Sequence, residues 1–328
     1  MDEEKKIRKL LIMQEKKNTR RLISLIVLAT CSGALYFFQQ AENRPLVDPS
    51  LFKVDDPSKI DRVVLELKNK KVDLHFDGTY WRVNRFEADR TLIDVLFAAL
   101  AQAVPKRPVA AAERDSINEF LNAQGVTVAL FEGPEIRKQF LAGGNAQKRE
   151  TYFRLDKNSE TYLMSIPGYR VYLAEIFAIG ENGWRDKRIF DFAWRNFKSL
   201  TASFPSDPSA GFAISRPDKS LTVTMTGLNE PDTARVNTYL DNVLQLSADQ
   251  IISGGTKRYD SLAQTIPVTT LAISDIANRT YRLELFASLP GETFVLGKAH
   301  DGDLLLFDRK KLFRVMRKRS YFKPIAGR

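Results

Sequence analysis

The sequence predicts an α+β fold built twice, with two similar antiparallel β-rich units, each carrying packed helices, behind one N-terminal transmembrane helix. Three observations lead there. A single long uncharged apolar run lies near the N-terminus. A weak internal repeat recurs with an offset near 143 residues. Within each copy, short β-like runs bounded by turn residues flank a capped amphipathic helix.

Charge orders the first part of the chain. The 328 residues include 50 Lys+Arg and 40 Asp+Glu, for a formal net charge of +10. Residues 1–21 hold eight basic and four acidic groups, residues 309–328 hold nine basic groups and no acid, and the stretch between carries 33 basic and 36 acidic side chains. The basicity therefore belongs to two ends of a slightly acidic body, which argues against a nucleic-acid partner. With 44% hydrophobic residues, wholesale disorder is excluded as well.

Leu22–Phe38 is uncharged, and with Gln39–Ala41 it is long enough to cross a bilayer. The predicted anchor spans residues 22–41, with Leu22, Ile26, Leu28, Leu35, Phe37 and Phe38 as its anchor residues. Eight basic residues precede it and aromatics close its far end. The positive-inside rule then places tail 1–21 in the cytoplasm and the rest outside, at the inner membrane. Leu28-Ala29-Thr30-Cys31 approximates a lipobox, so a lipoprotein anchored at Cys31 is the alternative; a cleaved signal peptide ending at Ser32-Gly33-Ala34 is a third.

A linker, 42–50, contains Pro45 and Pro49 and leads to repeat 1 (51–183) and repeat 2 (184–328). In the first copy Asp89 opens a helix through Leu92, Ile93, Leu96, Phe97 and Leu100. In the second, Asp232 opens one through Arg235, Val236, Tyr239, Leu240, Val243 and Leu244. An aspartate there accepts the free N–H groups of the first turn, and the spacing buries one face. Strands are expected at Val63–Leu67, Val72–Phe76 and Tyr80–Val83, and again at Leu200–Phe204, Gly211–Ser215 and Leu221–Thr226. Downstream, Val128–Leu130, Thr151–Phe153 and Thr161–Met164 match Leu271–Ile273, Thr293–Val295 and Leu304–Phe307. Each copy thus reads β-β-β-α, a connector, then β-β-β-α.

Several residues carry a further resemblance. They are Phe52 and Asp55 with Ile60-Asp61-Arg62-Val63, then Trp81-Arg82-Val83, Ala88-Asp89, Gly125-Val126, Tyr162-Leu163 and Trp184-Arg185-Asp186-Lys187-Arg188. In this order they resemble a membrane-anchored bacterial family of unknown function with a duplicated extracytoplasmic domain. Such domains also occur in auxiliary subunits of gliding-motility-type ABC transporters. The glycine-ended strand usual in that family is matched only loosely, at Leu141-Ala142-Gly143. The resemblance implies a transporter-type partner and supplies no catalytic residue.

Chemistry is sparsely signalled. Cys31 is the one cysteine and lies in the anchor; His75 sits in a strand pattern and His300 beside a turn, so no nucleophile–base pair suggests itself. Gly291…Gly297-Lys298-Ala299 has the wrong spacing for a phosphate loop and lacks its Ser or Thr. Asp55-Asp56 reads as a cap and Asp301-Gly302-Asp303 as a hairpin turn. No catalytic residue, metal or cofactor is expected. Two features invite binding instead. Tyr80, Trp81, Trp184 and Trp194 could form a glycan or peptide platform, with core packing as the competing role. The run Asp308–Phe322 reads as a basic amphipathic helix. Its Lys310, Lys311, Arg314, Arg317, Lys318 and Arg319 suit anionic lipid or an acidic partner, or else a solvated helix end. The expectation is a non-enzymatic accessory or scaffold subunit that contacts other membrane subunits through anchor and domain. A glycan- or peptide-binding module is the alternative.

Overall fold

The structure is a computed structural model that describes residues 25, 27–33, 47–190, 194–216, 224–228, 230–252 and 257–324. Tail 1–21 lies outside these residues, as do five anchor positions, Leu22, Ile26, Leu35, Phe37 and Phe38. Leu28 belongs to a described helical stretch, 27–33, and is exposed, as is Cys31. Among the described residues no helix is long and apolar enough to cross a membrane.

The fold is α+β, with two antiparallel sheets. The first unit begins with strands β1 (Arg62–Leu67), β2 (Lys70–Phe76), β3 (Trp81–Val83) and β4 (Phe86–Glu87), followed by helix α1 (Arg90–Gln102). Strand β5 (Val104–Pro108) and helix α2 (Ala111–Gln124) come next. The unit closes with β6 (Val126–Glu132), β7 (Glu135–Gly144), β8 (Thr151–Arg154) and β9 (Thr161–Ser165), then short helices α3 (Ala174–Phe177) and α4 (Glu181–Trp184). The second unit repeats the plan. It has β10 (Phe197–Ser203), β11 (Phe212–Ser215), β12 (Thr224–Met225), α5 (Thr233–Leu244), β13 (Gln250–Ile252) and α6 (Lys257–Leu262). The chain continues through β14 (Thr269–Asp275), β15 (Thr280–Leu285), β16 (Phe294–Ala299), β17 (Leu304–Asp308) and α7 (Arg309–Phe313).

The sheet orders show the duplication. The first runs β4-β3-β2-β1-β6-β7-β8-β9-β5 and the second β12-β11-β10-β14-β15-β16-β17-β13. Apart from the extra β4, each strand of one sheet has its counterpart at the same place in the other. The register agrees too: Val63, Leu74 and Val83 are paired neighbours across β1–β3, as are Leu200, Ile214 and Met225 across β10–β12. All six are buried. Asp89 caps α1 by accepting from Thr91 and Leu92, and Asp232 caps α5 by accepting from Arg235. Each helix lays its apolar face on its own sheet, Ile93, Leu96 and Leu100 in one unit and Val236, Tyr239, Leu240 and Val243 in the other.

Three parts of the plan differ from the sequence expectation. The connector is a strand and a helix in each copy, and the second strand group has four members. β5 evades the strand pattern because it contains Pro105 and Pro108, which an edge strand tolerates and a central one does not. The loosely matched Leu141-Ala142-Gly143 is the end of a full ten-residue strand, β7. Its last glycine is required, since a Cβ at Gly144 would run into the Tyr172 ring. Finally, Asp308–Phe322 is not one helix. α7 lasts five residues, and a 3-10 turn follows at Arg319–Phe322. Across this break Leu312, Val315 and Phe322 all enter the same core.

Tyr239 tests this packing. It is buried between Phe212 and Phe322, and its hydroxyl has no hydrogen-bond partner among the described residues. Leaving such a group unpaired is unfavourable. Tyr239→Phe is therefore expected to leave stability unchanged or raise it by about 1 kcal/mol in urea denaturation. A loss of that size would mean that the hydroxyl is satisfied.

Candidate functional site

The two units meet along a short segment, Trp184–Ile189, which leaves helix α4 at Trp184 and is extended from Arg185. Its first half belongs to unit one. Trp184 is fully buried in that core, its indole N–H donates to Ile179 O at 3.1 Å, and its carbonyl accepts the N–H of Asp89 at 2.7 Å. Asp186 N–H then donates to Glu87 O at 2.9 Å. The second half belongs to unit two: Lys187 O accepts from Ala248 N–H at 2.8 Å and Ile189 N–H donates to Leu246 O at 3.1 Å. Ile189 and Phe190 enter the second core.

Side chains reinforce this strap. The guanidinium of Arg185 lies 3.6 Å from the centre of the Phe86 ring and forms an ion pair with Asp303, in the turn between β16 and β17. Asn182 donates to Ile251 O, on edge strand β13, at 3.2 Å. Glu181 accepts from Asn84, a residue held at φ 52 in the turn between β3 and β4. Edge β4 of one sheet and edge β13 of the other are thereby covered by the same segment, which removes both as sites of stray strand pairing.

Beside the strap runs a groove of about 1080 Å³. Its walls come from the tip of the β2–β3 hairpin, the first turns of α1, the strap, and Ser247-Ala248 of unit two. Phe76, Trp81 and Phe97 form an aromatic wall, with ring centres 6.1 Å and 5.3 Å apart in that order. Tyr80 stands at the tip, 52% exposed. Asp77 fixes that tip by accepting from Thr79 N–H at 2.9 Å, Tyr80 N–H at 2.8 Å and Arg82 Nε at 2.7 Å. The Tyr80 hydrogen bond above all, with those from Arg82 and Thr79, pulls the Asp77 carboxyl down to about 2.

The four sequence-selected aromatics therefore do not form one platform. Tyr80 and Trp81 line the groove, and Trp184 is core beneath the strap. Trp194 sits in unit two, donating to Asp241 at 2.6 Å and packed edge-on against Phe197. The groove also uses Phe76, Phe97, Asp61 and Asp94, which sequence reading passed over. Comparing the copies position by position would have flagged them.

The basic C-terminal run is partly neutralised. Lys311 pairs with Asp249 at 2.5 Å and Lys318 with Asp207 at 2.9 Å. Arg317 lies over the rings of Phe313 and Tyr321, and Arg319 packs against Gly227. Among the described residues Lys310 and Arg314 make no ion pair. His300 stacks edge-on with Tyr281. Among the described residues no group of three or more His, Cys, Asp or Glu side chains is placed to hold a metal.

A family of domains of unknown function, DUF4340, matches residues 45–264. The chain belongs to this family. The match takes in all of unit one, the strap, and unit two as far as α6. No curated protein and no solved structure matches the chain.

Two outcomes are expected here. Replacing Arg185 by Leu strands Asp303 beside the strap and should cost about 3 kcal/mol of stability, while Arg185→Leu/Asp303→Leu should recover part of it. A double-mutant cycle in urea reads this directly. The folded-state carboxyl of Asp77 is lowered, so its contribution is fully present above the usual carboxylate range and is lost as pH falls through about 2. An NMR titration of the Asp77 side-chain carbon should show that low midpoint; a midpoint near 4 would show the hairpin tip to be loose.

Proposed function

We propose that this protein is a non-enzymatic accessory or scaffold subunit of a larger bacterial envelope complex. In this reading residues 22–41 form a single anchor in the inner membrane, residues 1–21 are cytoplasmic, and both β-rich units stand outside. The resemblance to auxiliary subunits of gliding-motility-type ABC transporters names such a transporter as the partner complex. Other membrane subunits would be met through the anchor and the outer units.

The observation that supports this is the weld. Two separate cores are joined by a backbone segment bonded to both, with Arg185–Asp303 across the joint. A body held this way presents a fixed surface made by both copies, which suits a part that positions others. The groove supports a second reading, a binding module taking peptide or glycan on Tyr80 and Trp81.

Mild-detergent extraction of the tagged full chain from its native membranes is expected to bring down membrane subunits in fixed ratio. Reporter fusions are expected to place the N-terminus inside and residue 328 outside. A clean monomer would sink the accessory reading, and an external N-terminus would reverse the topology. Acylation of Cys31, read by mass spectrometry, would replace the anchor helix with the lipoprotein alternative.

A further inference from the structure

The duplication supplies an internal control. Residues that the fold needs should recur in kind in both copies, and those kept for another purpose need not. The paired strands align Asp61 and Phe76 with Lys198 and Arg216, since Phe76 N–H donates to Asp61 O as Arg216 N–H donates to Lys198 O. The capped helices align Asp94 and Phe97 with Asn237 and Leu240. In sequence, Val223 stands where Trp81 does. The same architecture thus forms in unit two with none of the groove's acids or aromatics at the four described positions, and the sequence has none at the fifth.

From this contrast we infer that the junction groove binds an extended, basic segment of a partner polypeptide, with cationic side chains laid on the Trp81 wall and paired with Asp94 and Asp61. The inference rests on the reading of this protein as a subunit that presents surfaces to partners, and it names the chemistry of one such partner. Three features set that chemistry. Five carboxylates and three cations line the groove. Of the cations, Arg188 is already held by Glu87 and Asp186 and Lys187 by Gly183 O, and Arg90 is exposed with no ion pair among the described residues. Asp94, exposed on α1, makes no ion pair among the described residues and remains for a ligand. The aromatic faces attract cations as well as apolar groups. The volume, about 1080 Å³, lies at the upper end of small-ligand pockets and accommodates several residues of extended chain.

The test uses the full chain in non-ionic detergent. One probe is a short fluorescein-labelled peptide repeating lysine, serine and phenylalanine. The others are its counterpart with glutamate for lysine, and a labelled chitohexaose. Fluorescence anisotropy is expected to rise with the lysine peptide alone, and the affinity to fall steeply as salt screens the carboxylates. Trp81→Val/Asp94→Asn installs residues that the second copy already carries, and should weaken the lysine peptide at least about tenfold. Asp94→Asn alone changes an exposed side chain. It keeps the question answerable if the double variant loses its circular-dichroism signature, and should itself weaken binding and flatten the salt dependence. Equal binding of the glutamate peptide or of chitohexaose, absence of lysine-peptide binding, or wild-type affinity in the variants would overturn the inference. Co-purification of partners that persists in Trp81→Val/Asp94→Asn would also move the contact elsewhere while leaving the accessory reading intact. Loss of all partners from the wild type would sink that reading without touching the peptide titration.

Discussion

Everything particular to this molecule hangs on the backbone pairing of Trp184–Ile189 with both units. A duplicated α+β unit folds around its own core, and two such units on a tether would tumble independently. Here the tether is itself bonded to both units, through an isolated bridge to each. Its first half continues unit one beyond β4, and its second half runs beside the segment leading into β13. Backbone hydrogen bonds of this kind are modest singly, but each is protected here by a buried neighbour, Trp184 on one side and Ile189 with Phe190 on the other. The Arg185 guanidinium, which stacks on Phe86 and reaches Asp303, satisfies its charge across the joint rather than within either unit. The groove follows from that weld, because its walls belong to both copies.

Much of the fold is written in local chemistry. Asp89 and Asp232 announce their helices because a short acceptor is the simplest way to satisfy the free N–H groups of a first turn. β14 is read without difficulty, since its burial alternates residue by residue. Elements that violate local rules for tertiary reasons are harder. α2 buries little more than Leu121 and has no side-chain cap. It is held instead by polar contacts, Asn122 accepting from the buried Arg154 and Asn118 from Thr161. Nothing in its own periodicity reveals those partners, which lie on strands far along the chain.

The site was legible only in part, and for a related reason. Tyr80 and Trp81 stand out as aromatic neighbours in any reading. Trp184 stands out equally, yet it is core. Its flanking residues, Gly183 and Arg185, are small or charged, and it closes a one-turn helix too short to show a periodic face, so composition alone gives no side. Phe76, Phe97 and Asp94 look ordinary in sequence, a strand end and two positions of a helix. They acquire meaning when the sheet register and the helix caps set them beside Arg216, Leu240 and Asn237.

The same comparison shows how unit two closes the end that matches the groove. In unit two the part of Trp184 is taken by Phe322, which is buried against Phe212 and Tyr239 and whose carbonyl accepts the N–H of Asp232 at 2.9 Å. The aromatic plug and its bond to the helix cap are therefore common to both copies. The next step is not. Where Asp186 donates its N–H to Glu87, the second copy has Pro324, which has no N–H to give. Ala88 is likewise answered by Pro231. Unit two thus closes its core as unit one does, but without the donor that Asp186 supplies in unit one. Arg235 there donates to the carbonyls of Tyr321 and Lys323. An acidic, aromatic groove thus lies beside a strap at the first helix cap and a basic closure at the second, and the N–H that bonds the strap to Glu87 in unit one is missing at Pro324 in unit two.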